Sequence, residues 1–198
     1  MRPRKLILVA GMPGSGKSLV SQTAREMGIP VYTMGDVVRR EVRRRGLEPT
    51  PSNLNRVARE LRQLYGPRVI AERVLEEIKE GPRAEVVLVD GVRSLEEVEV
   101  FRSYAPVVIV AVHASPKTRF ERLRARGRPG DPRSWEEFVA RDSMELGFGL
   151  GSVIALADYM LVNEGVSIDE ARRLARSLLE AVIRGETWKA YRALGCQE

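Results

Sequence analysis

The chain has one cysteine and one histidine among its 198 residues. Cys196 has no second thiol to pair with, which excludes an internal disulfide and any cysteine-built zinc site. His113 alone removes most histidine-centred metal or triad chemistry; at the end of an apolar run it reads as structural. Aromatic residues make up only 6% of the chain, and neither an aromatic-rich RNA-binding signature nor a zinc finger occurs. Lysine is scarce too: five of the 33 basic residues, the rest being arginine. That bias, with few Asn and Gln, suits a thermophilic source, although genome base composition alone produces the same bias. No apolar run approaches the roughly 20 residues needed to cross a bilayer. Leu6 to Ala10, preceded by Arg2, Arg4 and Lys5, has the outline of a signal peptide. It is too short for one and leads into a glycine-rich loop, so a buried strand and a cytoplasmic protein are expected.

What the chain does have is positive charge, +6 at pH 7 with a pI near 9.8. This favours anionic partners, either phosphorylated metabolites or nucleic acid, and charge alone does not choose between them. The length fits a single domain spanning residues 1–198. Strand-like apolar runs occur at Leu6 to Ala10, Val31 to Thr33, Val86 to Asp90, Val107 to Val112 and Tyr159 to Val162. Each is followed by a helical pattern, which predicts an α/β fold with five parallel strands and crossover helices. Residues 35–80 break the alternation. They read as helix throughout, interrupted near Gly46–Pro51 and Gly66–Pro67, with Leu54, Val57, Leu61 and Leu64 at helical spacing. That is too much helix for one crossover, so an inserted helical subdomain is expected. Residues 127–133, rich in Gly, Pro and Arg, fit a short mobile lid. Ser167 and Glu170 form a capping-box pattern opening the last long helix, and 186–198 reads as a short helical tail.

The segment Gly11-Met-Pro-Gly-Ser-Gly-Lys-Ser18 matches the P-loop pattern G-x-x-x-x-G-K-S/T in full, after an apolar strand and before an amphipathic helix. The glycines let the backbone curl so that successive N–H groups face the phosphates, and the helix N-terminus adds partial positive charge. Gly11, Met12, Pro13, Gly14, Ser15, Gly16, Lys17 and Ser18 are therefore the candidate ATP-binding residues. Lys17 neutralises the β- and γ-phosphates, and the Ser18 hydroxyl is a Mg²⁺ ligand. Asp90, closing the third strand, is the expected second Mg²⁺ ligand. The absence of an Asn-Lys-x-Asp guanine-reading motif disfavours a Ras-like GTPase. Without a Leu-Ser-Gly-Gly-Gln signature or a long AAA-type domain, a transporter ATPase or unfoldase is also disfavoured.

The P-loop variant with Pro13 resembles that of adenylate-kinase-like enzymes, and more of the chain resembles the nucleoside monophosphate kinases. Met34-Gly-Asp-Val-Val-Arg39 is similar to their Thr-Gly-Asp-x-x-Arg, with Met34 in place of Thr. Asp90-Gly-Val-Arg93 is similar to their Asp-Gly-Phe-Pro-Arg, one residue shorter. The resemblance implies that Gly35, Asp36, Arg39 and Arg93 bind the acceptor and that Asp36 lies near the reacting phosphates. Arg119, Arg122, Arg126 and Arg128 precede and enter the lid, as lid arginines do in those kinases. Arg122 and Arg126, four apart, share a helical face. Arg122 is accordingly assigned to ATP, while Arg126, Arg128 and Arg141 join Lys17 and Asp36 as catalytic candidates. Ala157-Asp-Tyr-Met-Leu-Val-Asn163-Glu-Gly165 resembles a segment near the end of dephospho-coenzyme A kinases. Together with Asp-Gly-Val-Arg-Ser, His-Ala-Ser-Pro and Glu-Leu-Gly-Phe-Gly-Leu-Gly, the chain from about residue 5 to 180 resembles the archaeal, kinase-like UPF0200 family.

The implied fold is a P-loop NTPase with a five-stranded parallel sheet, a helical acceptor-binding insert and a short lid. The implied activity is transfer of the γ-phosphate of Mg²⁺–ATP to a small anionic nucleotide, AMP-like or dephospho-coenzyme A-like. A phosphate acceptor needs no general base; a hydroxyl acceptor does, and Asp36 is then the candidate. A rival class is a nucleotide-dependent assembly factor or ATPase that binds RNA or protein with weak turnover, compatible with the arginine run Arg39 to Arg45.

Overall fold

The computed structural model describes residues 2–188. Most of the 186–198 tail, with Cys196, lies outside the described residues; 186–188 are irregular.

The strands are β1 Lys5–Ala10, β2 Val31–Thr33, β3 Val86–Asp90, β4 Val107–His113 and β5 Tyr159–Val162. They form one parallel sheet in the order β2-β3-β1-β4-β5. All five apolar runs became strands, β1 and β4 each one residue longer than expected. Leu6 to Ala10 are completely buried, as required of a central strand covered on both faces. The period of two sends Leu6, Leu8 and Ala10 to one side of the sheet and Ile7 and Val9 to the other.

Nine helices surround the sheet among the described residues: α1 Lys17–Glu26, α2 Met34–Arg44, α3 Pro51–Tyr65, α4 Val69–Glu80, α5 Leu95–Arg102, α6 Pro116–Arg126, α7 Trp135–Gly147, α8 Leu150–Ala155 and α9 Ile168–Arg184. Val20 of α1 and Leu178 and Leu179 of α9 cover one face. Val42, Val57, Val74, Phe101 and Val153, from α2, α3, α4, α5 and α8, cover the other. The break at Gly46–Pro51 starts α3 with Pro51 in its first turn and the Thr50 hydroxyl accepting from the Asn53 amide. Ser94, Ser115, Ser134 and Ser167 cap α5, α6, α7 and α9 in the same way, each accepting the amide three residues on. Gly149, in the left-handed region, separates α7 from the unanticipated α8.

Register fixes where chemistry converges. Val9 lies beside Asp90 and Ala10 beside Ala111, while Thr33 pairs with Asp90. The P-loop, Asp90 and the start of α2 therefore meet at the carboxyl ends of the strands, where open α/β sheets bind ligands.

Candidate functional site

The P-loop is braced by two distant side chains. Asn163, just past β5, donates its amide Nδ2 to the Ser15 carbonyl at 2.9 Å. Gly16, with φ +102, leaves room for that amide; a Cβ there would collide with it. From α6, Arg119 donates Nη1 to the Pro13 carbonyl at 3.2 Å and Nε to the Ala114 carbonyl at 3.2 Å. Its guanidinium pairs twice with Asp142, at 2.8 and 2.5 Å, and lies over the Phe138 ring. At 4% exposure Arg119 is a strut beneath the loop, which corrects its placement among the lid arginines.

Lys17 Nζ folds back onto the Gly11 carbonyl at 2.6 Å and the Met12 carbonyl at 3.3 Å. Burial lowers its pKa to about 8; Asp90 and Glu145 oppose that shift, while Arg93 and Arg141 add to it. Ser18 and Lys17 line one cavity. Asp90 Oδ2 accepts a 2.8 Å bond from Ser21 Oγ, one helical turn beyond Ser18. A hydroxyl and an anchored carboxylate are hard oxygen donors, the type Mg²⁺ selects, and its remaining positions suit phosphate oxygens and water. Ser18 and Asp90 therefore fit the ion. No cluster of three or more His, Cys, Asp or Glu side chains that could hold a metal by themselves occurs among the described residues.

The P-loop opens into a cavity of about 460 Å³ whose wall carries seven cationic side chains and two carboxylates. The cations are Lys17, Arg39, Arg62, Arg93, Arg122, Arg126 and Arg141; the acids are Asp90 and Glu145. Such a surplus in a partly enclosed space is a trap for polyphosphate. Arg122 donates Nη2 to Asn163 at 3.4 Å, while its buried Nη1 has no hydrogen-bond partner among the described residues. A buried unpaired guanidinium nitrogen is costly, and a phosphate oxygen would satisfy it. Ser15 and Met12 are not on the wall: Ser15 is buried with its Oγ unpartnered, and Met12 packs on the core.

A second cavity, about 1090 Å³, lies between the α2–α3 region and residues 126–145. It shares Gly35, Arg39, Arg93, Arg126, Arg141 and Glu145 with the first. Val38 is also common to both, and the second wall adds Leu54, Ala58 and Met144 together with Glu48 and Asn55. Arg93 Nε pairs with Glu145 at 3.1 Å, and its backbone amide donates to Glu97 at 2.8 Å. Glu97, only 1% exposed, also holds Arg62 of α3 at 2.9 Å.

Two candidate residues sit apart from the rest. Asp36 is on neither cavity wall and pairs with Arg39 on its own helix. Arg128 lines the second cavity but not the first, away from the P-loop. Sequence reasoning missed Ser21, Arg62, Glu97, Asp131 and Glu145, and gave Asn163 no role. Ser21 and Asp131 have partners nearby in the sequence, and Ser21 is spaced three from Ser18; Arg62, Glu97, Glu145 and Asn163 act through contacts far along the chain.

Comparison with known proteins gives the fold and the family. Residues 10–139 match the AAA domain family. That description qualifies the expectation against an AAA-type domain: the match takes in the P-loop and ends at 139, short of the long unfoldase-type domain set aside above. The UPF0200 protein of Hyperthermus butylicus is 65% identical over 176 residues, 89% of this chain and 94% of that protein. That of Staphylothermus marinus is 58% identical over 178 residues, 90% of this chain and 93% of its own. Among solved structures, Thermus thermophilus TT1252 aligns with a TM-score of 0.64 at 21% identity, covering 95% of this chain and all of that one. Shikimate kinase from Acinetobacter baumannii, solved with shikimate, aligns with a TM-score of 0.57 at 18% identity, covering 94% and 96%. At those identities the likeness is one of fold. The chain has a P-loop, kinase-like fold and belongs to the UPF0200 family.

Proposed function

We propose that the protein is a phosphotransferase that moves the γ-phosphate of Mg²⁺–ATP to a nucleotide-like acceptor carrying its own phosphate. One observation carries this reading: two cavities meet at Arg39, Arg93, Arg126 and Arg141, beside Lys17 of the P-loop. The smaller is the donor site, on Gly11 to Ser18 with Arg122; the larger is the acceptor site, between helices 35–80 and the 127–133 lid. Bound Mg²⁺ at Ser18 and Asp90 would neutralise charge on the β- and γ-oxygens. Lys17 holds the same phosphates, and the four shared arginines spread the charge that develops during transfer. Arg39 and Arg93 grip the acceptor anion, and the lid excludes water from the junction.

The choice between a phosphate and a hydroxyl acceptor turns on a base. Asp36 is directed to Arg39 rather than to a cavity, and Glu145, the one acid common to both walls, is engaged by Arg93. Neither is placed as a free proton acceptor, which favours AMP-like acceptors over dephospho-coenzyme A-like ones. The second wall mixes Val38, Leu54, Ala58 and Met144 with charged side chains, and with its size it suits a body larger than a simple sugar acid. This reading places the protein in the cytoplasm, with ATP. The test is coupled ADP release from Mg²⁺–ATP over a panel of nucleoside monophosphates, dephospho-coenzyme A and unphosphorylated sugars. Turnover with monophosphates is expected; turnover only with hydroxyl acceptors, or ADP release independent of any acceptor, would sink the proposal.

A further inference from the structure

Arg126 ends α6 and Arg141 lies on α7, yet both reach the junction of the two cavities. What brings them together is Asp131, in the lid between the two helices. Its Oδ2 accepts Arg126 Nε at 2.8 Å and the Arg128 backbone amide at 3.0 Å; its Oδ1 accepts Arg126 Nη2 at 2.5 Å and Arg141 Nη1 at 3.2 Å. The Gly130 carbonyl accepts the same Arg141 Nη1 at 3.1 Å. The Asp131 side chain is 4% exposed, while the two arginines around it stay partly open to solvent. Arg126 Nη1 and Arg141 Nε and Nη2 stay outside this network.

Gly130, with φ +83, seats the lid tip against Pro51 at the start of α3, so close that a Cβ would strike the proline ring. The acceptor-side insert, the lid and the two arginines thus form one connected unit, hinged on a single carboxylate. A carboxylate bonded to one edge of each guanidinium fixes the planes of both.

We propose that Asp131 is a positioning residue, holding Arg126 and Arg141 at the junction of the cavities with their free edges toward the γ-phosphate of bound ATP. This rests on the donor-site reading of the P-loop cavity, but not on any acceptor. The low pKa of Asp131, about 2 through Arg126 above all, agrees with a carboxylate that stays ionised in this role. The β-phosphate, seated on the P-loop, is served by Lys17 and backbone amides whatever Asp131 does.

The test is therefore a ratio of affinities, read by titration calorimetry on the full chain. Mg²⁺–ADP and the Mg²⁺ complex of a β,γ-imido ATP analogue are compared for the native protein, Asp131→Asn and Asp131→Glu. The native protein is expected to prefer the triphosphate by at least about tenfold, because two charged donors meet the extra phosphate. Asp131→Asn should bring the ratio close to one while Mg²⁺–ADP affinity stays within about twofold; Asp131→Glu, which keeps the charge, should recover part of it. A native-like ratio in Asp131→Asn, equal weakening of both nucleotides, or no preference in the native protein would each overturn the inference. Absence of Mg²⁺–ADP binding by the native protein would remove the donor-site reading and this inference with it. Failure to find a phosphate acceptor would leave the ratio test intact.

Discussion

Lys17 brings a cation into a space already crowded with arginines, and its contacts show how the chain tolerates it. Its ammonium rests on two P-loop carbonyls in place of phosphate, and burial has drawn its pKa down to about 8. Lys17→Ala removes a buried charge rather than a packing contact, so the fold should survive with Tm within about 3 °C, while phosphoryl transfer falls by about 100-fold or more. Circular dichroism melting beside an ADP-release assay measures both, and full transfer activity in the variant would disprove the site. Arg39 is exposed and, among the described residues, pairs only with Asp36, so its replacement costs little stability. Arg39→Ala should raise the acceptor KM and lower kcat while Mg²⁺–ATP affinity changes by less than about threefold; an effect confined to ATP binding would reassign it to the donor side. Asp142 shows the opposite balance. It lines neither cavity, yet it is the carboxylate partner of the buried Arg119 beneath the P-loop. Asp142→Ala strands that guanidinium at a cost of about 3 kcal/mol, a drop in Tm on the order of 10 °C by thermal denaturation. An unchanged Tm would mean that Arg119 is not a structural strut.

The three helices between β2 and β3 are tied together through Glu41 and Glu60. Glu41 of α2 accepts Arg44 at 2.9 and 3.0 Å, Arg45 at 2.8 Å and Arg73 of α4 at 3.4 Å, and Arg45 also reaches Glu60 of α3 at 2.5 Å. The hydrogen bonds from Arg44, then those from Arg45, hold the Glu41 pKa down to about 2, against the opposing effect of burial. A depressed acid contributes stability above its unfolded pKa and loses it as pH falls through the folded value. Glu41 should therefore stabilise the fold fully above about pH 5 and lose that contribution between there and about pH 2. Because Arg44 is largely solvent-exposed, the effect is on the order of 1 kcal/mol. Urea midpoints at pH 6 and pH 3 should show it, and Glu41→Gln should reduce the difference; an equal pH dependence in the variant would refute the assignment. At this scale the sequence was informative wherever a local pattern sufficed. Uninterrupted runs such as Val-Val-Leu-Val mark strands buried on both faces, and Gly46–Pro51 and Gly66–Pro67 fall at the breaks between α2, α3 and α4. The division of α7 from α8 was missed, since only the backbone at Gly149 reveals it. The braces of the site were invisible for another reason: Asn163 meets Ser15 across 148 positions and Asp90 meets Ser21 across 69. No window of sequence contains both partners of such a contact.

The net charge of +6 raises the question of nucleic acid for the molecule as a whole. Where the charge lies matters more than its sum. The run Arg39 to Arg45, compatible with RNA binding when read as sequence, is largely neutralised: Arg39 by Asp36, Arg40 by Glu77, and Arg44 and Arg45 by Glu41. The P-loop cavity, by contrast, sets seven cationic side chains against two carboxylates, in a space scaled to small phosphorylated molecules. Backbone-tracking RNA proteins instead present open cationic grooves interleaved with aromatic side chains, and neither cavity wall carries an aromatic residue. Single-stranded RNA is therefore expected to bind weakly, with a Kd above about 10 μM at roughly 150 mM salt, within the range of non-specific electrostatic association. What binding there is should be competed by Mg²⁺–ATP, because both would draw on the cavity arginines. Fluorescence anisotropy with a labelled oligonucleotide, titrated with salt and then with Mg²⁺–ATP, measures both properties. Sub-micromolar RNA binding that persists with Mg²⁺–ATP bound and is lost on replacing Arg40, Arg43 and Arg44 would move the functional surface from the cavities to α2. The kinase reading would then give way to a nucleotide-gated RNA-binding factor.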